Sequence, residues 1–248
     1  MPIKASCSFT CCWTSCFEYA LAGIISYNEC GSLTMEEQGS SYLLEPGLLA
    51  AWLAARSIAR GLALPVPDHG GWRVDTGSPQ EIRRYVFAGP VPAISALAAA
   101  IDRPHILIKM CGTGEQLLRL LPPRWQLLPG GYFMTHAGQL PAPALPAGYR
   151  LDVATSPAMT TARILTGDGA VAASGHAVEY AGVLIFDRIV TEAAHRRRGL
   201  GRVLVAALAA RQRSDSARRV LVATEDGLKL YASLGWQTLS AYSTATMT

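Results

Sequence analysis

The chain has 248 residues, of which 50% are hydrophobic and 16% charged, and its formal net charge is +4. This composition supplies enough apolar material for a substantial core and excludes an intrinsically disordered chain. The basic residues concentrate between residues 196 and 219 without interleaved aromatic side chains, which disfavours nucleic acid as a partner.

The first 34 residues differ in composition from the rest. Their closely spaced cysteines are Cys7, Cys11, Cys12 and Cys16. These spacings match no common zinc site, and Glu18 interrupts the apolar run that a signal peptide needs. No run of about 20 apolar residues predicts a membrane span. Residues 1–34 are therefore predicted to be a flexible extension before a functional start at Met35, and the remaining Cys111 suits the cytoplasm.

Residues 35–140 are predicted to form an α/β domain. Apolar periodicity predicts helices at 43–60, 91–101 and 115–121, and β-rich runs predict strands at 72–76, 82–87 and 105–110. The prolines Pro141, Pro143 and Pro146 then mark a linker over 141–147.

Residues 148–248 are predicted to form a second domain that begins with strands. These strands are predicted at 149–153, 162–165, 171–180 and 183–190. The turn Gly167-Asp168-Gly169 connects the second and third of them, which makes this region a meander.

A short basic loop follows the last of these strands and leads directly into a helix. The first turn of a helix has backbone N–H groups without partners and carries partial positive charge. Gly199 and Gly201 let a phosphate approach those groups, and the arginines of 196–198 add forked donors. Leu204 stands where a dinucleotide loop has its third glycine, and the chain lacks the Gly-Lys-Ser/Thr of a triphosphate loop. The loop therefore predicts a different phosphorylated ligand.

The segment after the loop contains a second set of signals. The helix is predicted to end near 211–213, and a buried strand is predicted at 219–224. Thr224 can cap the next helix, which ends at Gly235, and Trp236 opens a further strand.

Two motifs in this region carry a family resemblance. Arg196-x-x-Gly199-x-Gly201 resembles the acyl-CoA pyrophosphate motif of the GNAT superfamily of N-acetyltransferases, and residues 230–236 (Leu-Tyr-Ala-Ser-Leu-Gly-Trp) resemble the signature that ends its core. The resemblance implies an α/β (α+β) protein with a mixed central sheet in the C-terminal half. It also implies direct transfer of an acetyl group from acetyl-CoA to a primary amine of a small molecule or peptide, without a metal. A non-catalytic acyl-CoA-binding sensor is the alternative.

The resemblance also implies roles for individual residues. Tyr231 matches the tyrosine that protonates the leaving sulfur, and backbone groups near Ile189 and Val190 match those that hold the acyl and pantetheine groups. The full set implied to bind acetyl-CoA is Ile189, Val190, Arg196, Arg197, Arg198, Gly199, Leu200, Gly201, Arg202 and Thr224. Thr224 and Gly227 depart from the family pattern, in which an Asn and an Ala are common.

The general base is a separate question, because an incoming amine is mostly protonated at neutral pH. Asp187 lies two residues before Ile189, and strand alternation puts both on one face. Asp187 is therefore the candidate base, with Glu179, Glu192 and His176 as rivals.

The N-terminal half has an element order similar to the degenerate GNAT-like domains of FR47-like and glycine N-acyltransferase-like members. Residues 154–161 are too few for the two helices that usually shape the acceptor side, so we expect the N-terminal half to supply that wall. Lys109-x-x-Gly112-x-Gly114 echoes the loop motif, although an ordinary strand-to-helix turn explains it better. The acceptor, the acyl preference and a homodimer are left open by the sequence.

Overall fold

The computed structural model describes residues 44–141 and 143–247, and the structural statements below concern these residues. The predictions for residues 1–34, for their cysteines and for Met35 lie outside this described part. The helices are α1 (Pro46–Ala59), α2 (Ala93–Ala100), α3 (Gly114–Leu118), α4 (Leu200–Ala209) and α5 (Glu225–Ala232). The strands are β1 (Val66–Asp68), β2 (Gly71–Ser78), β3 (Glu81–Phe87), β4 (Ile106–Cys111), β5 (Trp125–His136), β6 (Tyr149–Thr155), β7 (Thr160–Thr166), β8 (Val171–Tyr180), β9 (Val183–Thr191), β10 (Arg218–Ala223) and β11 (Gln237–Met247).

All of these strands belong to one mixed sheet, in the order β1-β2-β3-β4-β11-β5-β10-β9-β8-β7-β6. The pairs β3–β4 and β9–β10 are parallel, and the other neighbours are antiparallel. The predicted α/β class with a mixed sheet is confirmed.

The sequence predicts neither the short strand β1 nor the long strand β5. Strand β5 is the more important of the two. Its Pro129-Gly130-Gly131 looks like a turn in the sequence, but it lies inside the strand at a bulge opposite β11. A proline is tolerated there because a bulge interrupts the hydrogen-bond ladder. Strand β5 precedes residues 141–147 and lies between β10 and β11, which follow them. Strands from both sides of this segment therefore share one sheet, and the division into domains at 35–140 and 148–248 stays a prediction.

Three helices end at least two residues earlier than predicted. Helix α5 ends at Ala232, before the predicted end at Gly235. Helix α3 ends at Leu118, three residues before the predicted end at 121, and the Pro122-Pro123 pair that follows disfavours further helix. Helix α4 ends at Ala209, and the chain continues as a turn in which the N–H groups of Arg211 and Gln212 donate to carbonyls three residues back.

The sheet is covered on both faces, because its strands alternate apolar side chains between them. Helix α1 packs on the face that carries Ile185 and Val220. Helices α4 and α5 pack on the opposite face, which carries Leu184 and Leu221, while α2 and α3 cover Ile108 and its neighbours. Pro46 at the start of α1 suits the first turn of a helix, where its missing N–H leaves no bond unmade.

Strands β9 and β10 separate shortly after they begin to pair. They pair only from Val183 to Ile185 on β9 and from Arg218 to Val220 on β10. Beyond this point β10 continues to pair with β5, and β9 continues to pair with β8. The bulge in β9 places Arg188 and Ile189 opposite Gly175, and Arg188 has a positive φ of 53°. The sheet therefore opens between β9 and β10.

Candidate active site

A cavity of about 400 Å³ lies where β9 and β10 separate. Its lining combines residues from both faces of the sheet. Trp52 and Arg56 of α1 and Arg60 at its C-cap line it on one face, and Leu230 and Tyr231 of α5 line it on the other. The edges of the opening are residues 186–189 of β9 and residues 222–223 of β10. Two ligands that approach from opposite faces can therefore meet inside the sheet.

Helix α1 forms the wall of this cavity on its own face of the sheet. Trp52, Arg56 and Arg60 are spaced four residues apart, so they share one side of the helix. The Trp52 ring packs edge-on against Phe133, and the Arg56 guanidinium lies over Trp52, 5.5 Å from the ring centroid. The expectation that the N-terminal half supplies a wall of the site agrees with this arrangement.

Asp187 lines the cavity and is bound by the arginines of α1. Arg60 donates from Nε to Oδ2 at 2.8 Å and from Nη2 to Oδ1 at 2.9 Å, and Arg56 Nε lies 3.7 Å from Oδ1. Burial alone would raise the pKa of Asp187, but the hydrogen bonds from Arg60 and the charges of Arg56 and Arg188 outweigh it and lower the pKa overall. A carboxylate held in this way is a poor proton acceptor, so the geometry does not favour the predicted role of Asp187 as general base.

The rival bases lie away from the cavity lining. Glu179 accepts hydrogen bonds from the backbone N–H groups of Arg213 and Ser214, beyond the end of α4. His176 is the cross-strand neighbour of Asp187 and shares a hydrogen bond with Thr161, and burial followed by the charge of Arg188 lowers its pKa. Glu192 is exposed at the end of β9. Asp187 is thus the one carboxylate among the described residues that line the cavity.

The basic loop leads from β9 into α4, as the sequence predicts. A 3₁₀ turn (Ala193–His195) follows β9, and Gly199 is the N-cap of α4 with a φ of 80°. The first helical hydrogen bonds come from Arg202 and Val203, which donate to the carbonyl of Gly199. The backbone N–H groups of residues 198–201 donate to no acceptor in the described part of the chain. They remain available to an anion at the positive end of the helix.

The two glycines of the loop are needed for different reasons. A Cβ on Gly199 would meet no atom within 4 Å, but its positive φ is strained for any other residue. A Cβ on Gly201 would lie 3.0 Å from Leu230 Cδ2, so this position limits how closely α4 and α5 approach each other. Gly201 lines the cavity together with Thr191, whereas residues 196–199 are exposed beside it.

The arginines of the loop are exposed and partly anchored. Arg196 Nε donates to the carbonyl of Thr191, Arg198 donates to the Tyr149 hydroxyl, and Arg202 donates to Ser233. Arg197 has a positive φ of 63°. Each guanidinium has five N–H groups, so these single bonds leave donors for a phosphate group.

Tyr231 lines the cavity from α5. The side chain packs edge-on against Trp236, and only 7% of the residue is exposed. Burial raises the pKa of its hydroxyl. The hydroxyl forms no hydrogen bond with a described residue, and a proton donor for a ligand in the cavity is therefore present.

Of the other residues implied to bind acetyl-CoA, some line the cavity and others do not. Thr224 and Ile189 line the cavity, and the Thr224 hydroxyl also accepts from the N–H of Gly227 as the N-cap of α5. The Ile189 side chain packs into the core below α4. Val190 is 46% exposed and Leu200 is buried in the core, and neither lines the cavity.

Sequence reasoning missed the cavity residues that α1 and its C-cap, β5 and β11 contribute. They are Trp52, Arg56, Arg60, Pro129, Gly130, Gly131, Tyr242 and Thr244. A signal existed for α1, because Arg56 and Arg60 place two cations one turn apart on an otherwise apolar helix. The cavity residues of β5 and β11 carry no comparable signal, because their position depends on strand pairing.

Lys109-x-x-Gly112-x-Gly114 is an ordinary strand-to-helix turn. Thr113 and Gln116 form reciprocal hydrogen bonds that cap α3. Within residues 44–141 and 143–247, no helix is long and apolar enough to cross a bilayer, and no three His, Cys, Asp or Glu side chains are grouped to hold a metal ion.

Comparison with protein families gives a match for the region that contains both motifs. Residues 160–238 match the family model described as "Acetyltransferase (GNAT) domain". The chain matches no curated protein sequence.

Comparison with solved structures gives similar folds at low sequence identity. A GCN5-related N-acetyltransferase from Kribbella flavida has a TM-score of 0.58 and 17% identity, covering 82% of this chain and 96% of that one. A GCN5-related N-acetyltransferase-like protein from Streptococcus suis 89/1591 has a TM-score of 0.50 and 13% identity, covering 72% of this chain and 84% of that one. At these identities the similarity concerns the fold.

Proposed function

We propose that the chain transfers an acetyl group from acetyl-CoA to a primary amine of a small molecule or peptide, because residues 160–238 match the family model of a GNAT acetyltransferase domain. The amine attacks directly, without a covalent enzyme intermediate. The observation that carries the proposal is the opening between β9 and β10, which is lined on one side by α5 and on the other by α1.

The residues around the α4 N-terminus fit the pyrophosphate of acetyl-CoA. The N–H groups of residues 198–201 have no acceptor within the described chain, and the dipole of α4 adds partial positive charge. Arg196, Arg197 and Arg198 lie exposed beside them and can neutralise phosphate oxygens. Acetyl-CoA supplies the activated acetyl group as a thioester when it is bound.

The separated strand fits the reacting end of the same molecule. Beyond Ile185, the main-chain groups of β9 that face β10 have no strand partner there. A backbone N–H in this stretch can donate to the carbonyl oxygen of the acetyl group and stabilise the negative charge that develops during attack.

Tyr231 is placed to complete the transfer. The amine nitrogen forms a bond to the acetyl carbon while the carbon–sulfur bond breaks, and the Tyr231 hydroxyl gives its proton to the departing sulfur. The nitrogen loses a proton to water, and water returns one to Tyr231. The arginines lining the cavity disfavour a charged ammonium, so the acceptor binds as the free amine.

The proposal is tested by incubating the purified full-length chain with acetyl-CoA and a panel of amines. Mass spectrometry detects acetylated products, and a thiol reagent measures release of CoA. Tyr231→Phe is expected to lower kcat by about 100-fold, a typical contribution of general acid catalysis, without changing the Kd for CoA. Tyr180→Phe is the matched control, because Tyr180 is exposed at the end of β8.

Two results would overturn the proposal. If CoA binds but no amine in the panel is acetylated, the chain is an acyl-CoA sensor. If Tyr231→Phe and Tyr180→Phe are equally active, Tyr231 is not the acid.

A further inference from the structure

The buried groups beneath α1 carry an excess of positive charge. The cationic side chains are Arg56, Arg60, Arg84 and Lys109, with exposed fractions of 19%, 23%, 4% and 13%. The only carboxylates paired with them are Asp187 and Glu81. Four cations thus face two anions in a poorly solvated region of the described structure, an arrangement that favours a further anion.

Each of the two carboxylates is already paired with particular cations. Asp187 accepts two hydrogen bonds from Arg60. Glu81 lies 2.8 Å from Arg84 and 3.4 Å from Lys109. Arg56 has the least complete pairing, because its Nε is 3.7 Å from Asp187 and it forms no hydrogen bond with any described residue. Its guanidinium lines the cavity with its donors unused.

Two hydroxyl-bearing residues of β11 line the same cavity. Tyr242 is 7% exposed, its ring packs against Trp52, and its hydroxyl has no hydrogen-bond partner in the described part of the chain. Thr244 is 8% exposed and is the cross-strand neighbour of Lys109. Arg56, Tyr242 and Thr244 thus offer unpaired donors to one ligand.

From this arrangement we infer that the acceptor is a small amine that carries a carboxylate, which binds to Arg56 with Tyr242 and Thr244 beside it. The inference rests on the proposed acetyl transfer and names the class of its acceptor. A carboxylate matches the planar fork of a single guanidinium, and its one negative charge suits one incompletely paired arginine better than a doubly charged phosphate does.

The position of Arg56 relative to the sheet supports an acceptor rather than the phosphates of acetyl-CoA. Arg56 belongs to α1, on the face that carries Ile185 and Val220. The basic loop leads into α4, which packs on the opposite face. An anion bound at Arg56 and a pyrophosphate bound at the α4 N-terminus therefore lie on different faces, with the opening between them.

The inference predicts a specific preference among acceptors. The test measures kcat/KM for a series of amino acids in which the amine and the carboxylate are increasingly far apart. The corresponding carboxamides, which have a similar shape and no charge, are measured beside them. Aminophosphonates are the third set. We expect the best amino acid to exceed its amide about 100-fold in kcat/KM, because the amide leaves Arg56 buried without an anion. Equal rates for acid and amide, or a preference for the phosphonate, would overturn the inference.

Variants of Arg56 link this preference to the residue. Arg56→Gln is expected to lower kcat/KM for the acid about 100-fold and to leave the amide nearly unchanged. Arg56→Lys keeps the charge but lacks the planar fork of the guanidinium. Its kcat/KM for the acid should therefore lie between those of the wild type and Arg56→Gln. Arg103→Gln, at an exposed site between α2 and β4, is the matched control. An unchanged Kd for CoA shows that the variants remain folded. Equal losses for acid and amide would indicate a merely structural role of Arg56.

A binding measurement separates this inference from the proposed function. The N-acetyl amino acids and their amides are titrated calorimetrically into the wild type and Arg56→Gln, without acetyl-CoA. Binding of the acid alone, lost in Arg56→Gln, supports the carboxylate site even if no amine is acetylated. If neither acid nor amide binds and no acid is preferred in turnover, the inference fails, whereas acetylation of neutral amines would still support the proposed function.

Discussion

The guanidinium of Arg60 holds the carboxylate of Asp187 through two hydrogen bonds, of 2.8 Å and 2.9 Å, between residues 127 positions apart in the sequence. The pair connects α1 to β9 at the point where the sheet opens. It fixes the wall of the cavity to one of its edges and leaves Arg56 beside it, only partly paired. Loss of either partner would leave a buried charge without compensation.

Asp187→Asn is expected to lower the free energy of unfolding by about 3 kcal/mol near pH 7, as is typical of breaking a buried ion pair. The pKa of Asp187 is lowered in the folded state, so its stabilisation is present above the unfolded value of about 4 and is lost as the pH falls through the lower folded value. The free energy of unfolding, measured in urea, should therefore fall more steeply below about pH 4 for the wild type than for Asp187→Asn. Parallel curves would contradict the pairing.

The same variant distinguishes pairing from base catalysis. Since the arginines keep Asp187 ionised at neutral pH, the acidic limb of the kcat/KM profile for the acceptor should have the same midpoint in the wild type and in Asp187→Asn. Any loss of activity should come mainly from a higher KM for the acceptor. Disappearance of the acidic limb would restore Asp187 as the base.

Gly199→Ala is expected to weaken CoA binding at least tenfold, because a side chain at a φ of 80° forces the loop out of its conformation. Gly169→Ala is the matched control, since Gly169 has a φ of 88°, meets no atom within 4 Å and lies in the turn between β7 and β8. Both variants should lose about 1 kcal/mol of stability. In calorimetric titration with CoA, Gly199→Ala should bind more weakly than the wild type, whereas Gly169→Ala should bind like the wild type. Equal affinities of the two variants would argue against pyrophosphate binding at this loop.

The pH dependence of turnover gives a test of Tyr231. Burial raises the pKa of its hydroxyl, so it keeps its proton well above neutral pH. We expect kcat/KM for the acceptor to rise as the free amine loses its proton. We expect kcat to show no descending limb below about pH 10, the ordinary pKa of tyrosine. A descending limb near pH 8 that disappears in Tyr231→Phe would show that the hydroxyl titrates lower than its burial implies.

Thr224→Ala is expected to destabilise the chain by about 1 kcal/mol, because its hydroxyl caps α5 by accepting from the N–H of Gly227 at 3.2 Å. Thr224→Ser keeps the cap and should be close to the wild type in urea unfolding. If both variants keep wild-type affinity for CoA, Thr224 serves the helix and not the ligand.

Local features of the site were predictable from the sequence because short-range chemistry produces them. The left-handed conformation at Gly199, the strand before the loop, the cap at Thr224 and the turn at Gly235 each depend on residues within a few positions. The two motifs lie within about 40 residues of each other, and the strands at 183–190 and 219–224 were predicted with one helix between them. In the structure these strands are the parallel pair β9–β10.

Long-range features had no comparable signal. Pro129-Gly130-Gly131 by itself indicates a turn, and only the pairing of β5 with β11 on both sides of it makes it part of a strand. The sequence does not show that Asp187 has a partner, because Arg60 is 127 positions away and only the fold brings the two together. The role of a titratable group depends on which charges surround it, and these come from distant parts of the chain.

The sequence by itself determined the proposed donor side of the site. This side consists of a basic, glycine-containing loop at a helix N-terminus and a tyrosine on the next helix, with one strand between the two helices. Only the tertiary structure decided the proposed acceptor side. It brings Arg56 and Arg60 of α1 against Asp187, and Tyr242 and Thr244 of β11 beside them. The physical reason is that phosphate binding can be encoded in one strand–loop–helix unit, whereas a buried excess of charge arises only when separate elements pack together.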